Sequence, residues 1–418
     1  MTTKERAREA MARAEALDLL QKEDFFNQVV AAVNKAGVEG EEQNVLALYI
    51  VATSRYLERP LNAIVKGQSA GGKNWVVSRV LQQFPRSEVR EISSTSERAW
   101  NYSEDDFHHK VVYLQERNEA SGGVHPARLL ISEGKLIHTI STRCGRSFTT
   151  EQHVARGPIA FISTTTKNQI QIDDETRHIS LWVNESEEQS RRIIVRSAAD
   201  QHSISRAEVR KCRQVQRLLK ERAGAPISLP KWFPKVAEAT NVADLRVRRY
   251  FPAFVQACKT ICLLRSFQRD KSSASRGGLE VDFVDFALAA LILESVFSES
   301  LHRGSERVLE TRQAVARVVT ANKGKPISAR QLAKELGISK DRTYADLRRA
   351  MEKGAVHKAN RPERSNRKLF LPAPLQRFIP DPKVIFDGTP EISGPVRFVH
   401  PFTGKPVTYK HSHDKSKR

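Results

Sequence analysis

The sequence predicts an α/β chain built on a parallel sheet, followed by a helical region and a small helix-turn-helix unit. Three observations carry this. Short apolar runs alternate with helical stretches between residues 63 and 183, the pattern of a parallel sheet covered by helices on both faces. Within that region Gly67-Gln-Ser-Ala-Gly-Gly-Lys73 fits G-x4-G-K, directly after an apolar run. Near the other end, "ISARQLAKELGISKDRTYADLRRAMEKG" places two short helices around Gly337, the signature of a helix-turn-helix.

Taken in order, residues 1–40 read as N-terminal helices with Ala- and charge-rich faces, and "EEQNVLALYIVATSRYL" (Glu41 to Leu57) as a further helix. The strand candidates are Ala63–Val65, Glu88–Ile92, Val111–Leu114, Ile159–Ser163 and Ile179–Val183. They place an α/β core over 41–185. From 186 to 308 the pattern is helical, with a break at "AGAPISLPKWFP" and a flexible link at "SSASRGG". Residues 309–374 form a separate small unit, and 375–418 a basic tail rich in Pro and His with little sign of a core.

The bulk composition sets the expected partner. Among 418 residues, Lys plus Arg number 69 and Asp plus Glu 48, a formal charge of +21. Such an excess favours polyanions, nucleic acid above all. The four cysteines, Cys144, Cys212, Cys258 and Cys262, form no CxxC pair and suit a reducing cytoplasm. The charged, periodic N-terminus is not a secretory signal, and the longest apolar run, "FALAALIL", is too short for a bilayer. A cytoplasmic protein without a membrane partner is the expectation.

The glycine-rich run follows a predicted strand and precedes a helix from Trp75. In that context backbone N–H groups wrap phosphates and the helix N-terminus adds positive potential. Gly67, Ser69, Gly71, Gly72, Lys73 and Asn74 are the nucleotide-binding candidates, with Lys73 reaching the outer phosphates. Asn74 stands where Ser or Thr is usual and offers a carbonyl oxygen to Mg²⁺. A second strand ends in Gln115-Glu116. Glu116 is the general-base candidate, and Gln115 departs from the usual acid and would reach the metal through water. A third strand ends in Ser163-Thr164-Thr165-Thr166, where Thr165 could hold the attacking water. Arg177 could stabilise transferring phosphoryl charge from a neighbouring subunit.

Loop, acid, polar strand end and arginine follow in one order. Together with "TSRYLERPLNAIVKGQSAGGKN", "LLISEGKLIHTI", "ARGPIAFISTTT" and "DETRHISLWV", they make the chain from Glu41 to Arg269 resemble the AAA+ ATPases. Within these it looks most like the minichromosome-maintenance-like helicases of phages and mobile elements. The resemblance implies a helical lid, ATP with Mg²⁺, a hexameric ring and DNA as substrate, with a primase as a possible further partner. It implies that "GKLIHTISTRCGRSFTTEQHVARG" is a hairpin gripping DNA through Arg143 and Arg146. It also implies a phosphate-sensing arginine in "RVRRYFPAF", either Arg248 or Arg249. An ATP-bound initiator, loader or regulator with weak hydrolysis is the alternative, favoured by Gln115.

In the C-terminal unit Ser328 and Ser339 are N-caps, and Gly337 and Gly354 end the two helices. "AVHKANRPERSNRKLFLP" adds two strands around a basic loop, which makes a winged helix. Arg342, Thr343, Tyr344, Arg348 and Arg349 on the second helix, with Arg361, Arg364, Arg367 and Lys368 in the wing, are the DNA-contact candidates. Such modules also dock proteins. The tail histidines His400, His411 and His413 read as part of a disordered basic end, not a metal site.

Overall fold

The computed structural model describes residues 2–93, 107–117, 124–144, 147–167, 170–199, 204–269, 278–302, 306–352, 354–359, 368–373 and 377–411. They fall into two units. One comprises Met1–Thr240, Val247–Glu294 and Ile379–Arg418, the other Asn241–Arg246 and Ser295–Phe378.

The larger unit holds a five-stranded sheet. Its strands are β1 (Asn62–Lys66), β2 (Val89–Ile92), β3 (Lys110–Leu114), β6 (Ile159–Thr165) and β7 (Ile179–Trp182); β4 (Lys135–Cys144) and β5 (Ser147–Arg156) form a separate antiparallel hairpin. The order is β2-β3-β6-β1-β7, and every neighbouring pair is parallel. β1, β3, β6 and β7 stand where apolar runs predict them, because a strand covered on both faces needs a continuous run of apolar side chains, while the edge strand β2 carries exposed Arg90 and Glu91 between Val89 and Ile92. Burial is complete along β1 and β6.

Register decides what meets at the sheet edge. Val65 pairs with Thr164 and Lys66 with Thr165, while Leu114 pairs with Ser163. The carboxyl ends of β1, β3 and β6 therefore lie side by side, where open α/β sheets take ligands. The helix Glu42–Thr53 is buried from Asn44 to Thr53, as expected of one apolar on every side. The helix Thr3–Gln21 is tied to the helix Arg206–Arg222, with Arg13 on Glu221 at 2.7 Å and Arg217 on Glu9 at 3.0 Å. Cys212, Cys258 and Cys262 are buried free thiols. Among the described residues no helix is long and apolar enough to cross a membrane.

The tail differs from expectation. Asp381 caps a helix Pro382–Asp387, and Val396–Val399 pairs antiparallel with Pro406–Tyr409. Phe386 is fully buried, with ring centroids 5.3 Å from Phe283 and 5.7 Å from Tyr409. His411 stacks on Phe386 at 4.2 Å, and the Asn27 amide donates to the His400 and Pro401 carbonyls. The disordered end expected from composition is thus corrected for residues 379–411. A few widely spaced aromatic residues order this segment against the larger unit, and sparse anchors leave no periodic signal. His413 lies outside the described residues.

In the smaller unit, helices Glu306–Ala321, Ala329–Leu336 and Lys340–Glu352 accompany a three-stranded antiparallel sheet of Ile327–Ser328, Leu369–Pro372 and Val356–Lys358. Its core includes Val315, Ile327, Leu332, Leu347, Val356 and Phe370. Ser328 forms a capping box with Gln331, and Gly337 closes that helix in the left-handed region, at φ 62°.

Candidate nucleotide site

The loop Gly67–Gly72 runs from the end of β1 into the helix Lys73–Leu81. Val76, Val77, Val80 and Leu81 bury one face of that helix and aim its N-terminus at the loop. Its first-turn amides have no intrahelical acceptor, so the sheet edge presents donors and partial positive charge together. Gly67 has φ 154°, and a Cβ there would meet Val183 Cγ2 at 2.4 Å, so no larger residue fits. Ser69 is exposed and Lys73 is buried. The Lys73 ammonium folds back to donate to the Gly67 carbonyl at 2.9 Å and to that of Gln68. Burial pulls its pKa below the usual lysine range, against the pull of the Glu185 and Glu116 carboxylates.

A cavity of about 610 Å³ opens beside the loop. Gln68 to Gly72 and Trp75 form one wall; Gly37 to Glu39 with Glu41, and the helix Glu187–Ala198, form the others. Trp75 donates from Nε1 to the Gly37 carbonyl at 2.9 Å and carries the Arg79 guanidinium 3.8 Å above its ring. Arg196 pairs with Glu39, and Gln189 donates to the Glu39 carbonyl. The Glu41 carboxylate accepts from the Asn184 amide at 2.7 Å, and burial raises its pKa. A boundary between residues 40 and 41, expected from composition, thus falls inside a cavity wall. Glu185, which no motif flags, accepts from the Gln68 amide at 2.5 Å.

Opposite the loop, Glu116 is exposed and left-handed at φ 50°, a conformation that costs about 1–3 kcal/mol for a residue with a Cβ. Its amide donates to Thr164 Oγ1 at 2.9 Å, and the next amide, of Arg117, donates to the Thr164 carbonyl at 2.7 Å. Thr164 Oγ1 donates onward to Asn74 Oδ1 at 2.8 Å, which also accepts from the Tyr113 hydroxyl at 3.0 Å. The Gln115 amide donates to the Ile92 carbonyl. Thr165, singled out from the sequence, is buried and accepts from the Lys167 amide at 3.2 Å. Thr164 is therefore the strand-end hydroxyl that faces Asn74 and Glu116. Strand alternation turns neighbouring side chains to opposite faces, and only the register shows which one meets the loop.

Behind Glu116, Arg117 is buried on the fully buried Asp174. Arg128 shares that carboxylate, with Nη2 to Oδ2 at 2.6 Å. Burial pushes Asp174 up, yet the Arg128 and Arg117 guanidiniums outweigh it and hold the carboxyl below its ordinary range. Three residues on, Arg177 donates from Nε to the Asp173 carbonyl at 3.1 Å and from Nη1 to Ser132. Arg249 donates to Thr176 and to the same Asp173 carbonyl at 3.5 Å. Arg177 and Arg249 thus meet on one carbonyl, although Arg249 is exposed like Arg248.

His178 completes this cluster. Its Nδ1 lies 2.7 Å from the Asp174 carbonyl, its Nε2 is buried without a partner, and burial lowers its pKa to about 4. The unfolded chain, with a histidine near 6.5, binds the proton that the folded chain refuses. The contribution is therefore complete above pH 6.5 and is lost as pH falls toward 4, roughly 3 kcal/mol in all. Urea midpoints are expected to fall across that window, and His178→Gln is expected to flatten the dependence.

Residues 10–222 match the family model described as the MTBMA_p00010 P-loop domain. The chain belongs to this P-loop domain family. A P-loop domain binds nucleotide, and the matched span takes in the loop, Glu116, Thr164 and Arg177, as well as the helix Phe25–Lys35 and the later part of the helix Thr3–Gln21. No curated protein matches the sequence. Among solved structures, a full-length MCM homolog from Methanopyrus kandleri aligns over 70% of this chain and 62% of its own length, at 10% identity and TM-score 0.44. The Aeropyrum pernix ORC1 protein in complex with DNA aligns over 85% and 94%, at 12% identity and TM-score 0.26. Drosophila ORC bound to DNA aligns over 84% and 89%, at 12% identity and TM-score 0.25. Each TM-score lies below 0.5, and none sets a function for the P-loop domain.

The remaining candidates are the expected DNA contacts. On the helix Lys340–Glu352, Arg342, Tyr344, Arg348 and Arg349 are exposed, with Arg348 paired to Glu352 at 3.2 Å. Thr343 is a correction: it is fully buried and donates its hydroxyl to the Ser339 carbonyl at 2.9 Å, so it cannot reach a phosphate. Lys368 is exposed, while Arg361, Arg364 and Arg367 lie outside the described residues. Arg143 is described by its backbone alone, in register with Phe148, and Arg146 lies outside the described residues.

Proposed function

We propose that this P-loop protein is an ATP-driven DNA motor of the AAA+ type, working as a ring in the replication of a phage or other mobile element. The carrying observation is the juxtaposition at the sheet edge. Gln68 to Gly72 of the phosphate loop line the cavity of about 610 Å³, and Lys73, which follows them, feels the Glu116 carboxylate just past the end of β3. In this reading the triphosphate lies on the loop and Lys73 leaves the loop carbonyls to meet it. Glu116 takes the proton of the attacking water, and the strand end beside it orients that water. Arg177 serves the nucleotide of the adjacent copy. Arg249, rather than Arg248, accompanies it, since the two meet on the Asp173 carbonyl.

The basic hairpin β4–β5 would track single-stranded DNA, and the C-terminal unit would act as a winged helix holding duplex through Arg342, Tyr344, Arg349 and Lys368. The net charge of +21 supports a nucleic-acid track. Mg²⁺ would neutralise phosphate charge when bound. Asn74, however, does not fit as its ligand, because its oxygen already accepts two hydrogen bonds. That observation, with Gln115 in an acid's place, favours the second reading: an ATP-bound initiator or loader that hydrolyses weakly.

Turnover with and without single-stranded DNA separates the two. The motor reading expects a several-fold rise with DNA, and a fall of roughly 10²-fold in Glu116→Gln with nucleotide binding retained. Unstimulated turnover that Glu116→Gln leaves unchanged would end it.

A further inference from the structure

We infer that Asn74 is a positioning residue, whose amide oxygen fixes the backbone at Glu116 through Thr164, and not a metal ligand. This deepens the nucleotide-hydrolysis reading and rests on it.

Donor and acceptor capacity settles the direction of each bond. A side-chain amide oxygen has two lone pairs and no proton, so it can only accept. Thr164 Oγ1 lies 2.8 Å and the Tyr113 hydroxyl 3.0 Å from Asn74 Oδ1. Both hydroxyls are within reach to donate to that oxygen, and together they fill its acceptor capacity. Thr164 Oγ1 is then free to accept the Glu116 amide, at 2.9 Å. The chain of bonds runs from Glu116 N–H to Thr164 O–H to Asn74, with Tyr113 closing it from β3. Every hydroxyl in it has one proton and one assigned use.

This geometry explains the departure from Ser or Thr at the position. A hydroxyl oxygen sits one bond closer to the backbone than an amide oxygen, so it falls short of Tyr113 and Thr164 together. It also brings a proton of its own, which competes for the same acceptors. Asparagine suits a site where two donors converge on one acceptor.

The clamp has work to do. Glu116 is held at φ 50°, which costs about 1–3 kcal/mol and persists only where neighbours over-determine it. The Thr164 hydroxyl holds the Glu116 amide and the Thr164 carbonyl holds the Arg117 amide. Asn74 is the first residue after Lys73, on the first turn of the loop helix. A shift of that helix when phosphate binds would therefore move the carboxylate as well.

The test compares Asn74→Thr, Asn74→Asp, Thr164→Val, Thr164→Ser and Tyr113→Phe in the full chain. Three readouts are used: thermal midpoint, affinity for a fluorescent ATP analogue with Mg²⁺ or with EDTA, and ATP turnover. Asn74→Thr, which introduces the residue usual at this position, is expected to keep nucleotide affinity and lose about 10-fold in kcat, as a misplaced catalytic group does. Thr164→Val and Tyr113→Phe are expected to share that split, and Asn74→Thr combined with Thr164→Val to cost little more than either alone. Thr164→Ser is expected to recover most of what Thr164→Val loses. Asn74→Asp keeps both acceptor sites, so its thermal midpoint should hold, while its charge weakens nucleotide binding.

The metal-ligand alternative predicts the reverse: Asn74→Thr as active as the parent or more so, and Asn74→Asp binding nucleotide more tightly only when Mg²⁺ is present. Either result overturns the inference. A parent protein that binds the analogue without turning it over would end the hydrolysis reading instead. The Asn74→Asp contrast between stability and affinity would still decide the role of Asn74.

Discussion

Arg177→Ala is expected to lower ATP turnover by about 10³-fold, the lower end of what an arginine finger contributes, while nucleotide affinity stays close to that of the parent. The residue lies on the segment leading into β7, tied to Ser132 and the Asp173 carbonyl. It can reach a phosphate only on another copy if the ring reading holds. Lys73→Ala is expected to fail differently, losing both affinity and turnover, because its ammonium belongs to its own loop. The decisive measurement mixes the two inactive variants. In mixed assemblies some sites combine an intact Lys73 with a neighbour's intact Arg177, so turnover should reappear on mixing. Two variants that stay silent together, or an Arg177→Ala protein of parental activity, would refute the shared site.

The second large effect concerns stability. Asp174 is fully buried between Arg117 and Arg128, and Arg117 is itself buried. Asp174→Ala takes from the Arg117 guanidinium the buried carboxylate on which it is paired. Breaking such a pair from one side costs about 3–5 kcal/mol, against a total stability of only about 5–15 kcal/mol. A fall of roughly 10 °C in thermal midpoint is expected. Arg128→Ala should cost much less, because Arg128 is partly exposed and Asp174 keeps Arg117. Comparable losses from the two would show that the buried pair is not what braces this region. Because Arg117 follows Glu116 and Asp174 precedes Arg177 by three residues, the brace also joins the carboxylate to the arginine offered to a neighbour.

How much of this was legible beforehand depended on the range of the interaction. Four of the five strands are announced by apolar runs, and the loop helix by Gly67, since periodicity and backbone freedom are local properties. The caps Ser328 and Gly337 are equally local, and both form. The sequence points to Thr165 at the end of β6, while the structure turns Thr164 toward Asn74 and Glu116, because adjacent hydroxyls at a strand end look alike until pairing with β1 and β3 assigns each a face. Thr343 appears on the helix as a polar candidate, but its burial depends on how that helix packs. The tail looked coreless because Phe386 and Tyr409 find their partner in Phe283, about a hundred residues away in sequence.

Sequence alone determined that a phosphate loop follows a strand, that an acid ends another, and that the chain carries a large positive charge. These are matters of residue type, spacing and count. Only the tertiary structure decided that Asn74 accepts from Tyr113 and Thr164, that Arg249 joins Arg177, and that residues 37–41 wall the cavity. The physical reason is that hydrogen bonds and burial depend on distance and direction in space, and in this protein those are set by the parallel register of β1, β3 and β6.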